Sequence, residues 1–118
     1  MLILRADAET LLERIVAQQI PSDMPMHIRF YVDPETDEPH LHRHGVREEE
    51  AEEVLRSPLE DRPAQDGARV AIGQTRAGRY LRVIYVPDPE PNSLFCITSF
   101  DLSPKALHAL RRRRRKKP

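Results

Sequence analysis

The stretch from Ala68 to Phe100 reads ARVAIGQ, TRAG, RYLRVIYV, PDPEPNS and LFCITSF, and no other part of the chain restricts the fold as strongly. Runs rich in β-branched and aromatic residues alternate with connections dense in Gly, Pro, Asn and Asp, the pattern of strands and turns. The connections are too short to carry the chain across a sheet to a parallel neighbour, so the runs predict a three-stranded antiparallel meander. RYLRVIYV has apolar side chains at both parities, as expected of a central strand covered partly on each face.

The rest of the chain supplies elements to cover that meander. HIRFYVD (residues 27 to 33) predicts a further strand that enters the turn-rich PETDEP. From Arg47 a helix is expected, with Ala51, Val54 and Leu55 on one face and Glu48, Glu49, Glu52 and Glu53 mostly on the other. Early glutamates suit the positive end of the helix dipole. After Ser57 and Pro58 a polar loop leads into the meander. Ser103 as cap and Pro104 at the first helical position open a last helix, KALHALRRRRR. Near the start, an amphipathic helix is expected through ETLLERIVAQQI, with Asp7 able to cap it and Pro21 to stop it. Ser22 to Pro25 then reads as a linker, and Met24 and Met26 leave open a later translation start. The expected organisation is an N-terminal helix and linker over residues 1 to 25, a domain over 26 to 110 and a basic tail over 111 to 118. Its fold class is α+β: an antiparallel sheet of one N-terminal strand plus the meander, with helices packed on one side.

A chain of 118 residues with 39% hydrophobic content fills one domain, and a second independent core is not expected. The only cysteine, Cys96, lies inside LFCITSF, which rules out an internal disulfide and suits a buried strand position in a reducing, cytoplasmic setting. MLIL is too short for the apolar region of a signal peptide, and no apolar run approaches membrane-spanning length, so no membrane partner is expected. The formal net charge of zero hides a separation. Eight of the 19 basic residues fall between Lys105 and Pro118, which hold no acid, so the other 104 residues carry 11 basic against 19 acidic side chains, a net of −8. Such asymmetry gives a tail that binds polyanions or one that folds back on the acidic body.

Three groups of side chains are candidates for chemistry. His40, His42 and His44 alternate ahead of the acidic helix; an extended chain would point them to one side, where they could meet a zinc ion. Gly45 marks a turn instead, and neither Cys-x-x-Cys nor a helical His-x-x-x-His accompanies them, so approach residues are the favoured reading and no metal or other cofactor is expected. His44, beside the glycine turn, remains a candidate for proton transfer near neutral pH. In RVAIGQTRAGRYLR, Arg69 and Arg82 are expected to leave the packed face for an open one; together with Arg76, Arg79 and Tyr80 they could grip a phosphodiester. The competing reading is ordinary pairing with the many glutamates. Lastly Arg111, Arg112, Arg113, Arg114, Arg115, Lys116 and Lys117 form a nucleic-acid-binding candidate; if all of them met single-stranded phosphates, the salt slope would be roughly −5. With only 5% aromatics, a broad base-stacking platform is not expected.

HGVREEEAEEVL, RVAIGQTRAGRYLRVIYV and LFCITSFDLSPKALHALRRR together resemble the BrnT-like toxins and their relatives of unknown function within the RelE/ParE-like toxin superfamily. The resemblance spans residues 28 to 112 and is strongest at His44-Gly45-Val46, the acidic helix and the Gly-x-Thr-x-x-Gly-Arg hairpin from Gly73 to Arg79. It implies a RelE-like fold and a metal-independent endoribonuclease that cleaves RNA through the ribose 2′-hydroxyl, restrained by a cognate antitoxin protein. It further implies His44 as the acid or base, Arg69, Arg79 and Arg82 as phosphate or transition-state contacts, and Tyr80 as an additional catalytic candidate. The chain departs from the family pattern after the last strand, where Asp101 stands in place of a basic residue; a carboxylate there would repel a phosphate. The approach to His44 also departs, being a Pro- and acid-rich loop. Without catalysis, the same features describe an RNA binder that uses the basic tail, or a protein-interaction module.

Overall fold

A computed structural model describes residues 26 to 116, with the side chain of Lys116 excluded. The N-terminal helix and linker expected over residues 1 to 25 lie outside the described residues. Strands β1 (His27–Phe30), β2 (Val32–Asp33) and β3 (Glu38–Pro39) precede a short 3-10 turn, His40–His44. Helix α1 (Glu48–Arg56), β4 (Glu60–Pro63), β5 (Arg69–Gln74), β6 (Tyr80–Pro87), β7 (Ser93–Asp101) and helix α2 (Pro104–Lys116) follow. The fold is α+β, built on a five-stranded sheet in the order β1-β7-β6-β5-β4, with β2 and β3 forming a separate small hairpin.

The meander forms as its connections require, with β5, β6 and β7 antiparallel in sequence order. Two features correct the expected architecture. First, β1 pairs with β7 in parallel, His27 opposite Ser93 through Phe30 opposite Cys96, so the sheet is mixed and not purely antiparallel. The crossover from β1 runs through the hairpin, α1 and the meander, ample chain for a parallel return. Second, the segment expected as a polar loop contributes β4, which pairs with β5 and closes the sheet on that side.

Register divides the sheet into two faces. One carries Ala71, Gly73, Leu81, Val83, Tyr85, Leu94 and Cys96, and it packs with Leu41 and Val46 of the turn region and Ala51, Val54 and Leu55 of α1 into the main core. Gly73 permits the close approach of α1: a Cβ there would stand 3.1 Å from Val54 Cγ1. The opposite face carries Glu60, Ile72, Tyr80, Arg82 and Phe100. Helix α2 sits over this second face, with Leu110 buried and Arg113 gripping Glu60 through paired bonds of 2.8 and 2.9 Å. The helices therefore flank the sheet on opposite faces, not on one side. α2 opens as its sequence predicts, the backbone N–H of Ala106 donating to Ser103 Oγ at 3.1 Å. Residues 111 to 116 continue this helix. No helix among the described residues is long and apolar enough to cross a membrane.

Candidate functional site

The three alternating histidines do not meet at one point, because the 3-10 turn replaces the extended chain: His42 departs to a pair of carboxylates while the His40 and His44 rings stay together. His40 Nδ1 is hydrogen-bonded to Thr98 Oγ1 at 3.0 Å. His42 lies between two carboxylates, Nδ1 3.0 Å from Glu38 and Nε2 2.7 Å from Glu48. With both ring nitrogens facing acceptors, the imidazolium is favoured: hydrogen bonds to Glu38 and then Glu48 raise the His42 pKa above its ordinary value. The bond to His42 in turn holds the Glu48 carboxyl below its usual range. His44, exposed at the end of the turn, has its ring 5.4 Å from that of His40 and 5.6 Å from that of Phe100. Among the described residues no group of three or more His, Cys, Asp or Glu is placed to hold a metal ion.

Of the four residues expected as an acid or base and phosphate grips, Arg69 stands apart, whereas Arg79 reaches the His44 carbonyl and the His44 and Arg82 side chains both lie beside the Phe100 ring. Arg79 is occupied as a clamp. Its Nε and Nη2 take the two carboxylate oxygens of Asp101 at 2.6 and 2.9 Å, and its Nη1 donates to Gly45 O at 2.8 Å and Glu50 Oε1 at 3.0 Å. A longer bond from Nη2 to His44 O uses the fifth donor. The hydrogen bond with Asp101 raises the Arg79 pKa and lowers that of Asp101, so both stay charged. Gly45 makes this clamp possible, since its φ of 70° turns the chain so that two successive carbonyls reach the guanidinium. Asp101, a misfit as a phosphate contact, is thus the partner that fixes Arg79. Glu50, absent from the sequence-level candidates, is buried; the backbone N–H of Arg47, and next the charge of Arg79, hold its pKa down.

Arg69 shares the parity of Ala71 and Gly73 and so lies on the packed face, correcting the expectation that it leaves it. It donates to Asp61 Oδ1 at 2.9 Å, and the Tyr85 hydroxyl donates to the other oxygen of Asp61 at 2.6 Å. Arg69 opens β5 and Arg79 lies beyond its other end, so the two are separated by about 16 Å of strand or more. Arg76 is tied through its backbone N–H to Glu53.

Arg82 and Tyr80 do leave the packed face. The Arg82 guanidinium lies 5.9 Å from the centre of the Phe100 ring, and its buried Nε has no hydrogen-bond partner among the described residues. On the same face Arg29 lies 5.2 Å from the Phe95 ring, and Arg111 of α2 lies 5.7 Å from the Tyr80 ring. Phe95 and Phe100 went unnoticed in sequence because a low aromatic count does not reveal that register assembles Tyr80, Phe95 and Phe100 on one face. Within the basic run Arg113 is held by Glu60, and Arg114 donates to Leu59 O at 3.1 Å. Arg111, Arg112, Arg114 and Arg115 have no carboxylate partner among the described residues, and Lys117 lies outside them. The chain matches no family model, no curated protein and no solved structure.

Proposed function

We propose that the protein binds single-stranded RNA, using the sheet face opposite the main core for bases and the basic half of α2 for phosphates. The observation that carries this reading is the set of three arginine-over-aromatic pairs, Arg29 with Phe95, Arg82 with Phe100 and Arg111 with Tyr80, on the sheet face opposite the main core. Rings and guanidinium planes stack on unpaired bases without sequence preference, and the adjoining arginines draw in the backbone. A double-stranded ligand is disfavoured because its bases are not free to stack.

The test is fluorescence anisotropy with a short labelled single-stranded RNA over a range of salt. From Arg111, Arg112, Arg114 and Arg115 alone the slope of log K against log salt is about −3. Phe100→Leu and Arg82→Gln weaken binding in addition, by roughly 1 kcal/mol or more each. Equal binding by wild type and both sheet variants would reduce the interface to the helix alone, and no binding at low salt would end the proposal.

A second reading retains the toxin-type endoribonuclease of RelE-like fold, with a cognate antitoxin as partner. Its support is that His44 and Arg82 flank the same Phe100 ring. In this reading His44 is the acid or base and Arg82 the phosphate contact, while Arg79 and Arg69 shape the fold. Chelator-resistant cleavage of end-labelled RNA, lost in His44→Ala, is the expected result; intact RNA at enzyme excess removes this reading.

A further inference from the structure

Between α2 and the β5–β6 hairpin lies a cleft of about 390 Å³, lined among others by Leu59, Gln74, Tyr80, Arg111, Arg114 and Arg115. Its guanidinium groups contrast with those that the fold has already paired. Arg69, Arg79 and Arg113 are each neutralised by a carboxylate within 3.0 Å, whereas no carboxylate pairs with Arg111, Arg114 or Arg115 among the described residues. Helical spacing groups the three: 111 and 115 stand one turn apart, and 114 lies beside them. Arg114 is oriented by its bond to Leu59 O, and Tyr80 offers a ring at the same place.

Such concentrated, uncompensated charge exceeds what one internal phosphodiester can neutralise, since a diester carries a single negative charge. A terminal phosphate monoester approaches two charges and offers three strong acceptor oxygens, and forked guanidinium donors recognise that geometry. The volume falls at the lower end of the range for small-ligand sites, the scale of a single nucleotide. We propose that this cleft is a subsite for a phosphorylated RNA end: the monoester lies on Arg111, Arg114 and Arg115, and the terminal base or ribose lies against Tyr80. The assignment deepens the RNA-binding reading and rests on it for the identity of the ligand.

The experiment compares one RNA sequence carrying a terminal phosphate at the 5′ end, at the 3′ end or at neither, with adenosine monophosphate, adenosine and inorganic phosphate as competitors. The full chain is used as wild type, Arg115→Gln, Tyr80→Leu and, as a control on the sheet face, Arg29→Gln. The Arg115 side chain makes no hydrogen bond to other described residues, so its substitution leaves the fold intact, and thermal melting checks the others. The expected result is an advantage of about tenfold for one phosphorylated end, lost in Arg115→Gln and Tyr80→Leu but kept in Arg29→Gln. The monophosphate then competes better than adenosine or inorganic phosphate. Equal affinity for all three RNAs with no effect of the monophosphate overturns the subsite while leaving general RNA binding in place. Competition by inorganic phosphate equal to that of the nucleotide also overturns it, by removing the nucleoside's part. Failure of every RNA to bind, with the monophosphate still bound at Arg115 and Tyr80, sinks the RNA reading and overturns the RNA end as the ligand of the cleft.

Discussion

Arg79 joins four parts of the chain through one side chain: the hairpin it belongs to, the end of β7 at Asp101, the turn carbonyls at His44 and Gly45, and Glu50 of α1. Removing it takes a charged partner from the buried Glu50 carboxylate, which keeps the Arg47 N–H, and a donor from each of two carbonyls, so Arg79→Ala is expected to destabilise the protein by about 2 kcal/mol, a figure kept low because water reaches Asp101. Chemical denaturation measures this, and an unchanged midpoint would show the clamp to be dispensable. His42 gives a pH dependence of defined sign. Its folded pKa lies above the ordinary value of 6.5, so its contribution is complete below that value and is lost as pH rises through the folded pKa. Glu48, with its pKa lowered from 4.5, contributes above that value and loses the contribution as pH falls through its folded pKa. Melting temperature should therefore decline as pH rises above about 6.5, and the decline should flatten in His42→Ala. The same slope in both proteins would locate the dependence elsewhere. In sequence His42 looked like an approach residue, because its partners Glu38 and Glu48 become neighbours only once the 3-10 turn has formed.

At the level of elements, the meander, α1 and the start of α2 were legible because their signals are local: turn residues, side-chain periodicity and the Ser103-Pro104 start. β4 was not, since EDRP contains charged residues and a proline and owes its strand state to pairing with β5. The parallel partner of β1 was equally hidden, because no local pattern specifies which distant strand lies beside it. Nor could periodicity reveal that α2 takes the face opposite α1; that follows from the register placing Glu60 and Tyr80 away from Gly73. The close seating of α1 on β5 gives an element-scale prediction. Gly73→Val drives a branched side chain into Val54 and should lower stability by roughly 1 to 3 kcal/mol. Preserved stability would mean that α1 can shift without loss.

Across the molecule the charge separation seen in the sequence becomes spatial, with glutamates on α1 under one face of the sheet and arginines on α2 over the other. The candidate site was only partly legible for this reason. The sequence exposed the basic run and Arg82, but which arginines are spent on structure depended on Asp61, Asp101 and Glu60, whose partners are distant in the chain. Glu60 itself is a whole-molecule control point, since it holds Arg113 and with it the outer half of α2. Glu60→Gln should speed hydrogen exchange in residues 108 to 115 and steepen the salt dependence of RNA binding by up to about one phosphate contact. Unchanged exchange would show that Leu110 alone seats the helix.

The parallel pairing of β1 with β7 also bears on the birth of the molecule at the ribosome. The strand from His27 to Phe30 emerges long before its partner from Ser93 to Cys96 exists, so it must wait while the hairpin, α1 and the first two meander strands form behind it. Among the described strands, the earliest made is therefore among the last to be paired, and until then its unbonded edge is available to any other extended chain nearby.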